Sequence, residues 1–333
     1  MVGICQESFA LRRADEQKGG SSPLITDPAA FARYVRSLGG SGLQTPVEPG
    51  DFAAARALRQ VIEAHGMYLI GQLPLPADES DLNRFRLAVE TFNEAGAAAL
   101  RTFLLPGRRY ERFTSQEEFD ELYRRCARLL ERAEGIVRRY RLRLGLENHK
   151  DLRIDERLAL LERLSSEWIG VVVDLGNDIA LLEEPLAPAR AYAPWAVAVH
   201  LKDVALEPCA EGFFVGDVPL GLGMIDLEGA IAALRAARPD LPVLIEMHTR
   251  DPLLVPCLTD RYWATLSGVS GRELARTLRL VRECGVSKPL PRVSGLSHPE
   301  RLAREEENVK ACLAYVRERL QPLGDGPRAG AAN

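Results

Sequence analysis

Three observations predict an α/β fold, a (β/α)8 TIM-type barrel with a helical extension at its C-terminus. Eight short apolar runs alternate with helical patterns over about 285 residues, the signature of parallel strands joined by crossovers. Several runs are continuous in Val, Leu and Ile, as strands covered on both faces are. The first run is not followed by a Gly-rich phosphate turn, the mark of the competing doubly wound sheet.

The first strand is Val2-Gly3-Ile4-Cys5, followed by a polar loop through Lys18-Gly19-Gly20-Ser21-Ser22 that reads as a flap or an unstructured segment. Asp27-Pro28 is an N-cap with Pro at the first helical position. Phe31, Tyr34, Val35 and Leu38 carry that helix to Gly39-Gly40. Gly42-Leu43-Gln44-Thr45 is the second strand, residues 51–65 a helix, and Met67-Tyr68-Leu69-Ile70 the third strand, ending at Gln72. Asp81 opens a helix through Leu82, Phe85, Val89 and Phe92, and residues 98–103 form the fourth strand. Ser115 and Glu118 have capping-box spacing ahead of a helix with Phe119, Leu122, Cys126, Leu129 and Val137 on one face.

The second half repeats one shape four times. Leu144-Gly145-Leu146-Glu147, Val171-Val172-Val173-Asp174, Val197-Ala198-Val199-His200 and Val243-Leu244-Ile245-Glu246 are apolar runs that each stop at a residue able to ligate a metal. A helix over 154–164, a connector with Pro185, Pro188 and Pro194, and a helix capped by Asp226 separate them. Residues 271–284 form the last barrel helix. The loop 251–268, with Tyr262 and Trp263, is either a substrate lid or a packed surface loop. The division is a barrel over 1–288, then 289–333 with a linker, an amphipathic helix over 299–320 and a disordered tail from Gly324. That helix is expected to dock on the barrel or on a second subunit, which makes a homo-oligomer an open expectation.

Composition narrows the function classes. A formal charge of -4 supplies no global field for nucleic acid. The arginines between Arg101 and Arg143 are interleaved with Glu117, Glu118, Asp120, Glu121, Glu131 and Glu134, as on a solvated helix face. The six cysteines show no CxxC spacing, so neither a disulfide framework nor a cysteine zinc site is expected, and a cytoplasmic location follows. The N-terminus lacks the apolar segment of a signal peptide, and no stretch approaches the ~20 apolar residues of a membrane span.

In a (β/α)8 barrel the C-terminal strand ends crowd around one mouth. Glu147, Asp174, His200 and Glu246 end strands five to eight, with separations of 27, 26 and 46 residues. Three carboxylates and an imidazole form a mainly hard-oxygen site for one divalent ion, suited to Mn2+, Mg2+ or Co2+ and tolerant of Zn2+. Such an ion stabilises an enediolate by several kcal/mol. A carboxylate base adds ~10²–10⁴-fold. Glu147 and Glu246 lie on non-adjacent strands and are the expected catalytic acid–base pair. Two residues past the ligands, alternation returns His149, Lys202 and His248 to the same side. Lys202 is expected to stabilise negative charge, with Asp203 as a partner, and the histidines to hold a substrate hydroxyl. Arg101, Gln72 and Trp263 are weaker substrate-contact candidates; His65 and His298 read as surface residues.

The motifs Leu146-Glu147-Asn148-His149, Asp174-Leu175-Gly176-Asn177, Val199-His200-Leu201-Lys202-Asp203, Gly221-Leu222-Gly223-Met224-Ile225-Asp226 and Ile245-Glu246 resemble those of the xylose isomerase-like TIM-barrel superfamily. That group includes sugar isomerases and epimerases, inosose dehydratase and the AP endonucleases. The resemblance implies that Glu147, Asp174, His200 and Glu246 bind Mn2+ or a like ion, with both glutamates in acid–base work. Asn177 falls near the substrate by the same likeness. Ketose 3-epimerases carry Glu, His and Arg where this chain has Arg153, Asn177 and Leu206, which points away from that subgroup. A nuclease with a trinuclear zinc site needs more than the five histidines present, and the acidic balance disfavours duplex binding.

The expectation is therefore a divalent-metal-dependent isomerase or epimerase acting on a small-molecule keto-sugar or related polyol through a metal-stabilised enediolate. The alternative is a dehydratase or lyase of the same superfamily acting on an inosose or 3-keto-glycoside. A nuclease and a non-catalytic metal-binding subunit come behind both.

Overall fold

The computed structural model describes residues 2–285 and 289–320. The chain alternates as expected through its first half, with β1 (Gly3–Cys5), α1 (Ala10–Gln17), α2 (Pro28–Ser37), β2 (Gly42–Thr45), α3 (Phe52–His65), β3 (Tyr68–Gln72), α4 (Leu82–Glu94) and β4 (Ala99–Thr102). A short helix α5 (Arg109–Arg112) and the long α6 (Gln116–Arg139) lead to β5 (Leu144–Glu147), α7 (Ile154–Leu164), β6 (Ile169–Asp174), α8 (Ala187–Tyr192) and β7 (Ala196–Leu201). Then come β8 (Asp203–Cys209), β9 (Gly212–Val218), α9 (Leu227–Ala237), β10 (Val243–Ile245), β11 (Leu253–Val255), α10 (Gly271–Cys284) and α11 (His298–Tyr315).

Eight of these strands form a closed barrel in the order β1-β10-β7-β6-β5-β4-β3-β2. Every neighbouring pair is parallel, including the closing pair β1 and β10. All C-terminal strand ends therefore face one mouth. Inside, Ile70, Ala99, Val172, Val197, Ala198 and Leu244 pack as one buried cluster. The space is tight enough that a Cβ on Gly145 would stand 2.7 Å from Val172 Cγ2, and one on Gly42 would meet the Tyr68 ring at 2.3 Å. Outside, helices bury one stripe each: α6 turns Phe119, Leu130, Ala133 and Val137 inward. The N-caps expected at Asp27 and Asp226 form, with side chains accepting from Ala30 N and Gly229 N.

Three segments differ from the sequence expectation. The polar stretch after β1 begins with a 3-10 turn at Gln6–Phe9 and continues as α1. Beyond β7 the chain builds an antiparallel sheet, β11-β9-β8, where no strands were expected. The 251–268 loop supplies β11 to that sheet, and Tyr262 Oη donates to Ala180 O at 2.9 Å while Arg109 Nε donates to Thr265 Oγ1 at 3.0 Å. The segment is packed with both ends fastened, and its Leu253 lies on the wall of the cavity over the strand ends.

The extension docks on the barrel. On α11, Val309, Cys312 and Leu313 are buried, and Glu305 accepts from Leu11 N at 2.7 Å and Arg12 N at 3.0 Å. Those are N–H groups of the first turn of α1, which lack partners within their own helix. The α-helix stops at Tyr315 and one π-turn, Val316–Leu320, completes it. The tail expected from Gly324 lies outside the described residues, as do residues 286–288 at the end of the expected barrel segment.

Candidate metal centre and active site

β5 and β6 end at Glu147 and Asp174, His200 is the penultimate residue of β7, and Glu246 directly follows β10. Register sets Asp174 beside His200 and His200 beside Leu244, so the four side chains meet at one level of the barrel. Each offers one ligand atom, all four residues are buried, and the ligand atoms lie within 4.8 Å of one another. His200 Nδ1 stands 3.4 Å from Glu246 Oε1, 3.6 Å from Glu147 Oε2 and 3.9 Å from Asp174 Oδ2. An octahedral ion with bonds of about 2.1 Å spaces its ligands about 3 Å apart when adjacent and about 4 Å when opposite. The spacing fits.

The imidazole carries the clearest sign of a ligand role. Its Nδ1 is buried without a hydrogen-bond partner, a costly arrangement unless something accepts the lone pair. Gln44 fixes the tautomer: its amide Nε2 donates to Gln72 Oε1 at 3.0 Å, so its Oε1, 2.8 Å from His200 Nε2, receives the imidazole proton. Nδ1 is then left as an acceptor pointing at three carboxylates. The relay runs on from Gln72 Nε2 to Glu7 Oε1 at 3.1 Å and ends in the Glu7–Arg13 ion pair. Asn148 ties β5 to β6, donating to Asp174 O and accepting from Asp174 N, each at 2.7 Å.

Charge is compensated within the cluster. Arg101 holds Glu147 Oε2 through Nε at 2.5 Å and through Nη2. Burial opposes ionisation of Glu147, but Arg101 outweighs it and brings the carboxyl down to about 2. Lys202 Nζ lies 2.7 Å from both Asp174 Oδ2 and Glu246 Oε2. Burial again opposes, yet Lys202 holds Glu246 well below the usual range. Asp174 is pushed up to about 6, because burial and its neighbouring glutamates exceed the pull of Lys202. Cys5, at the end of β1, also comes within 4.8 Å of the ligand atoms of His200 and Glu246. Burial, with Glu246 and Glu147 nearby, raises its thiol well above the ordinary value, so it stays a neutral neighbour of the hard-oxygen set.

A cavity of about 350 Å³ opens over the cluster, with Glu147, Glu246, His149, Lys150, Lys202 and His248 on its wall. His149 stacks on Phe103 with ring centroids 5.3 Å apart, and burial lowers it to about 4, so it is neutral at pH 7. His248 Nε2 is 3.7 Å from Glu246 Oε2. Arg101 and Gln72 reach the wall as well, but Arg101 is engaged by Glu147 and Gln72 by the relay. Asn177 lies below the wall: its Nδ2 donates to Asn148 O at 2.9 Å and faces Glu147 Oε1 at 3.5 Å, and Lys150 donates to its Oδ1. It positions neighbours rather than facing the cavity. Trp263 is elsewhere, donating to Cys257 O. Asp203 does not pair with Lys202; it accepts from the backbone N–H groups of Gly221, Gly223 and Ile225. His65 and His298 are exposed. Sequence reasoning missed Gln44 and Lys150. Gln44, one of the ordinary amides at strand ends, gives no signal in sequence, and Lys150 is found only by closing the barrel.

Among curated proteins, the chain is 28% identical over 109 residues to a 3-oxo-isoapionate decarboxylase of Pectobacterium atrosepticum, a match spanning 32% of this chain and 40% of that relative's length. Among solved structures, an L-ribulose 3-epimerase superposes with a TM-score of 0.54 at 14% identity, covering 99% of both chains. A xylose isomerase-like TIM barrel protein from Mycobacterium smegmatis in complex with magnesium gives 0.54 at 17% identity, covering 75% of this chain and 90% of its own. At these identities the structures share the fold. Residues 32–265 match the family described as xylose isomerase-like TIM barrel, and the chain belongs to that family.

Proposed function

We propose that this protein is a divalent-metal-dependent enzyme that opens a bond next to the carbonyl of a keto-sugar or related polyol, with isomerisation or epimerisation through an enediolate as the first reading. The observation that carries it is the buried, unpartnered His200 Nδ1 set among three carboxylates. A divalent ion held by Glu147, Asp174, His200 and Glu246 supplies Lewis-acid polarisation of a carbonyl and stabilises negative charge on its oxygen. Mn2+ and Mg2+ suit the donor set best, and the magnesium complex of a fold relative supports that choice.

The chain's own groups supply the rest. Glu246 stands on the cavity wall and is the general base. Lys202, which burial opposes but Asp174 and Glu246 hold protonated, offers an N–H to a developing oxyanion. His149, neutral at pH 7, and His248 hold hydroxyl groups. Glu147 is bound by Arg101 through two nitrogens on one oxygen, which suits a fixed ligand more than a second base.

That asymmetry favours a second reading, elimination or decarboxylation, which needs one base or none. The partial similarity to a decarboxylase supports it. A ketose 3-epimerase is disfavoured: Arg153, at one of that subgroup's substrate positions, is ion-paired with Glu183 and Glu273.

The test is proton exchange in D2O, followed by NMR at the carbon next to the carbonyl, for Mn2+-loaded protein with ketoses, inososes and 3-keto-glycosides. Exchange that stops on chelation is expected. Absence of exchange, elimination and CO2 release across the panel, with 3-keto acids included, would remove the proposal.

A further inference from the structure

Five lysine or arginine side chains are buried among the described residues: Arg101, Arg109, Lys150, Arg157 and Lys202. Four of them have carboxylate partners, namely Glu147, Glu156, Asp151 and the pair Asp174 and Glu246. Lys150 alone has none within 4.0 Å among the described residues, although it lies on the wall of the cavity over the metal cluster. Its Nζ donates to Asn177 Oδ1, an oxygen that also faces Lys202 Nζ at 3.5 Å. An ammonium has three donors, so two remain for something the chain does not provide. A buried cation without a counter-charge is costly. The backbone adds to that cost, since Lys150 has φ +65°, a left-handed conformation that non-glycine residues rarely keep without reason.

The charge of the surroundings points the same way. Arg101, Lys150, Lys202 and Arg250 balance Glu147, Asp174, Glu246 and Asp217, while Glu7 and Glu111 are closed off by Arg13 and Arg108. With a divalent ion among the ligands, the site carries two positive charges in excess. A neutral sugar leaves that excess in place; an anionic one offsets it. Burial, with Lys202 nearby, lowers Lys150 to about 8, which still leaves it mainly protonated at neutral pH.

We propose that Lys150 grips an oxyanion on the substrate, so that the substrate class is an acidic keto-sugar, either a keto sugar acid or a keto-sugar phosphate. The inference rests on the metal-dependent keto-sugar reading above and adds the charge of the substrate to it. Lys150 is a specificity residue: it recognises the anionic end while the reacting carbons lie over Glu246.

The test is calorimetric titration of wild-type protein, with and without Mg2+, using three six-carbon probes: 2-keto-D-gluconate, D-fructose 6-phosphate and D-fructose. At least one acid is expected to bind tenfold or more tightly than D-fructose, a margin typical of a charge-assisted hydrogen bond. Whichever acid shows it identifies carboxylate or phosphate as the source. Lys150→Met should erase the margin, and Lys150→Arg should keep part of it. Equal or undetectable binding of all three probes by wild-type protein, or a margin that survives Lys150→Met, overturns the proposal. If Lys150→Met does not fold, Lys150→Gln takes its place with the same expectation. Metal-dependent proton exchange of D-fructose by wild-type protein that gives neither acid a binding margin would sink the anion site and leave the parent reading standing. Acid binding through Lys150 without any metal-dependent chemistry would do the reverse.

Discussion

The two halves of the barrel rim do different work. Strands β5, β6, β7 and β10 bring Glu147, Asp174, His200 and Glu246 to one point. At or one residue before their ends, strands β1 to β4 carry Cys5, Gln44, Gln72 and Arg101, none of which adds a charged ligand. Instead Gln44 sets the proton of His200, and Arg101 holds the charge of Glu147. One half supplies lone pairs; the other fixes their direction and charge. A site of this kind is lost by damage to either half, but in different ways.

The largest effect should come from the ligand half. Glu246→Gln keeps the shape and removes the base, and is expected to slow proton exchange by about 10²–10⁴-fold. Wild-type-like exchange in that variant would take Glu246 out of the chemistry. Next comes Arg101→Met in the supporting half, which leaves the buried charge of Glu147 unpaired. Metal-free protein should lose about 3–5 kcal/mol of stability, and Mn2+ should restore part of it by replacing the missing countercharge. Thermal melts with and without Mn2+ read both; a loss that Mn2+ does not reduce would separate Arg101 from the metal cluster. Smaller again is Gln44→Leu, which frees the His200 tautomer and should weaken Mn2+ binding about 10–100-fold. Unchanged Mn2+ affinity would break the division of labour between the halves.

The smallest effect on the rim should come from the extension. Burial raises Glu305 to about 7 against the N–H groups of Leu11 and Arg12 that pull it down. The folded state then binds its proton more tightly than the unfolded chain, whose ordinary value is 4.5. The contribution to stability is fully present below about 4.5 and is lost as pH rises through about 7. Amide exchange along α11 should therefore speed up across that window, and Glu305→Gln should flatten the profile while leaving Mn2+ affinity unchanged.

The same contrast explains what the sequence made legible. Eight runs and their helices announce the barrel because a buried parallel strand needs a continuous apolar stretch. Glu147, Asp174, His200 and Glu246 stand out because each interrupts such a stretch at its end. Gln44 and Gln72 carry no comparable contrast, as amides at strand ends are ordinary. Their role depends on a relay between strands that sequence does not order. Lys150 follows His149 like any polar rim residue, and only the closed barrel puts Asn177, 27 residues away, beneath its ammonium. The β8–β9 hairpin was hidden for another reason. Lys202 alone separates β7 from β8, so the apolar pattern reads as one strand, and a βα alternation has no place for an antiparallel return. The Phe213-Phe214-Val215 run between Gly212 and Gly216 was nonetheless a strand signal. Asn177 was expected at the substrate and sits one layer deeper, because Lys150 fills the space above it.

The most direct measurement is equilibrium binding of Mn2+ to the full chain, counted by the loss of the free-ion electron paramagnetic resonance signal. Convergence of the four side chains on one cation predicts one tight site per chain, weakened sharply in His200→Ala and in Asp174→Asn. No stoichiometric binding by the wild-type chain, or a tight site indifferent to both substitutions, would contradict it.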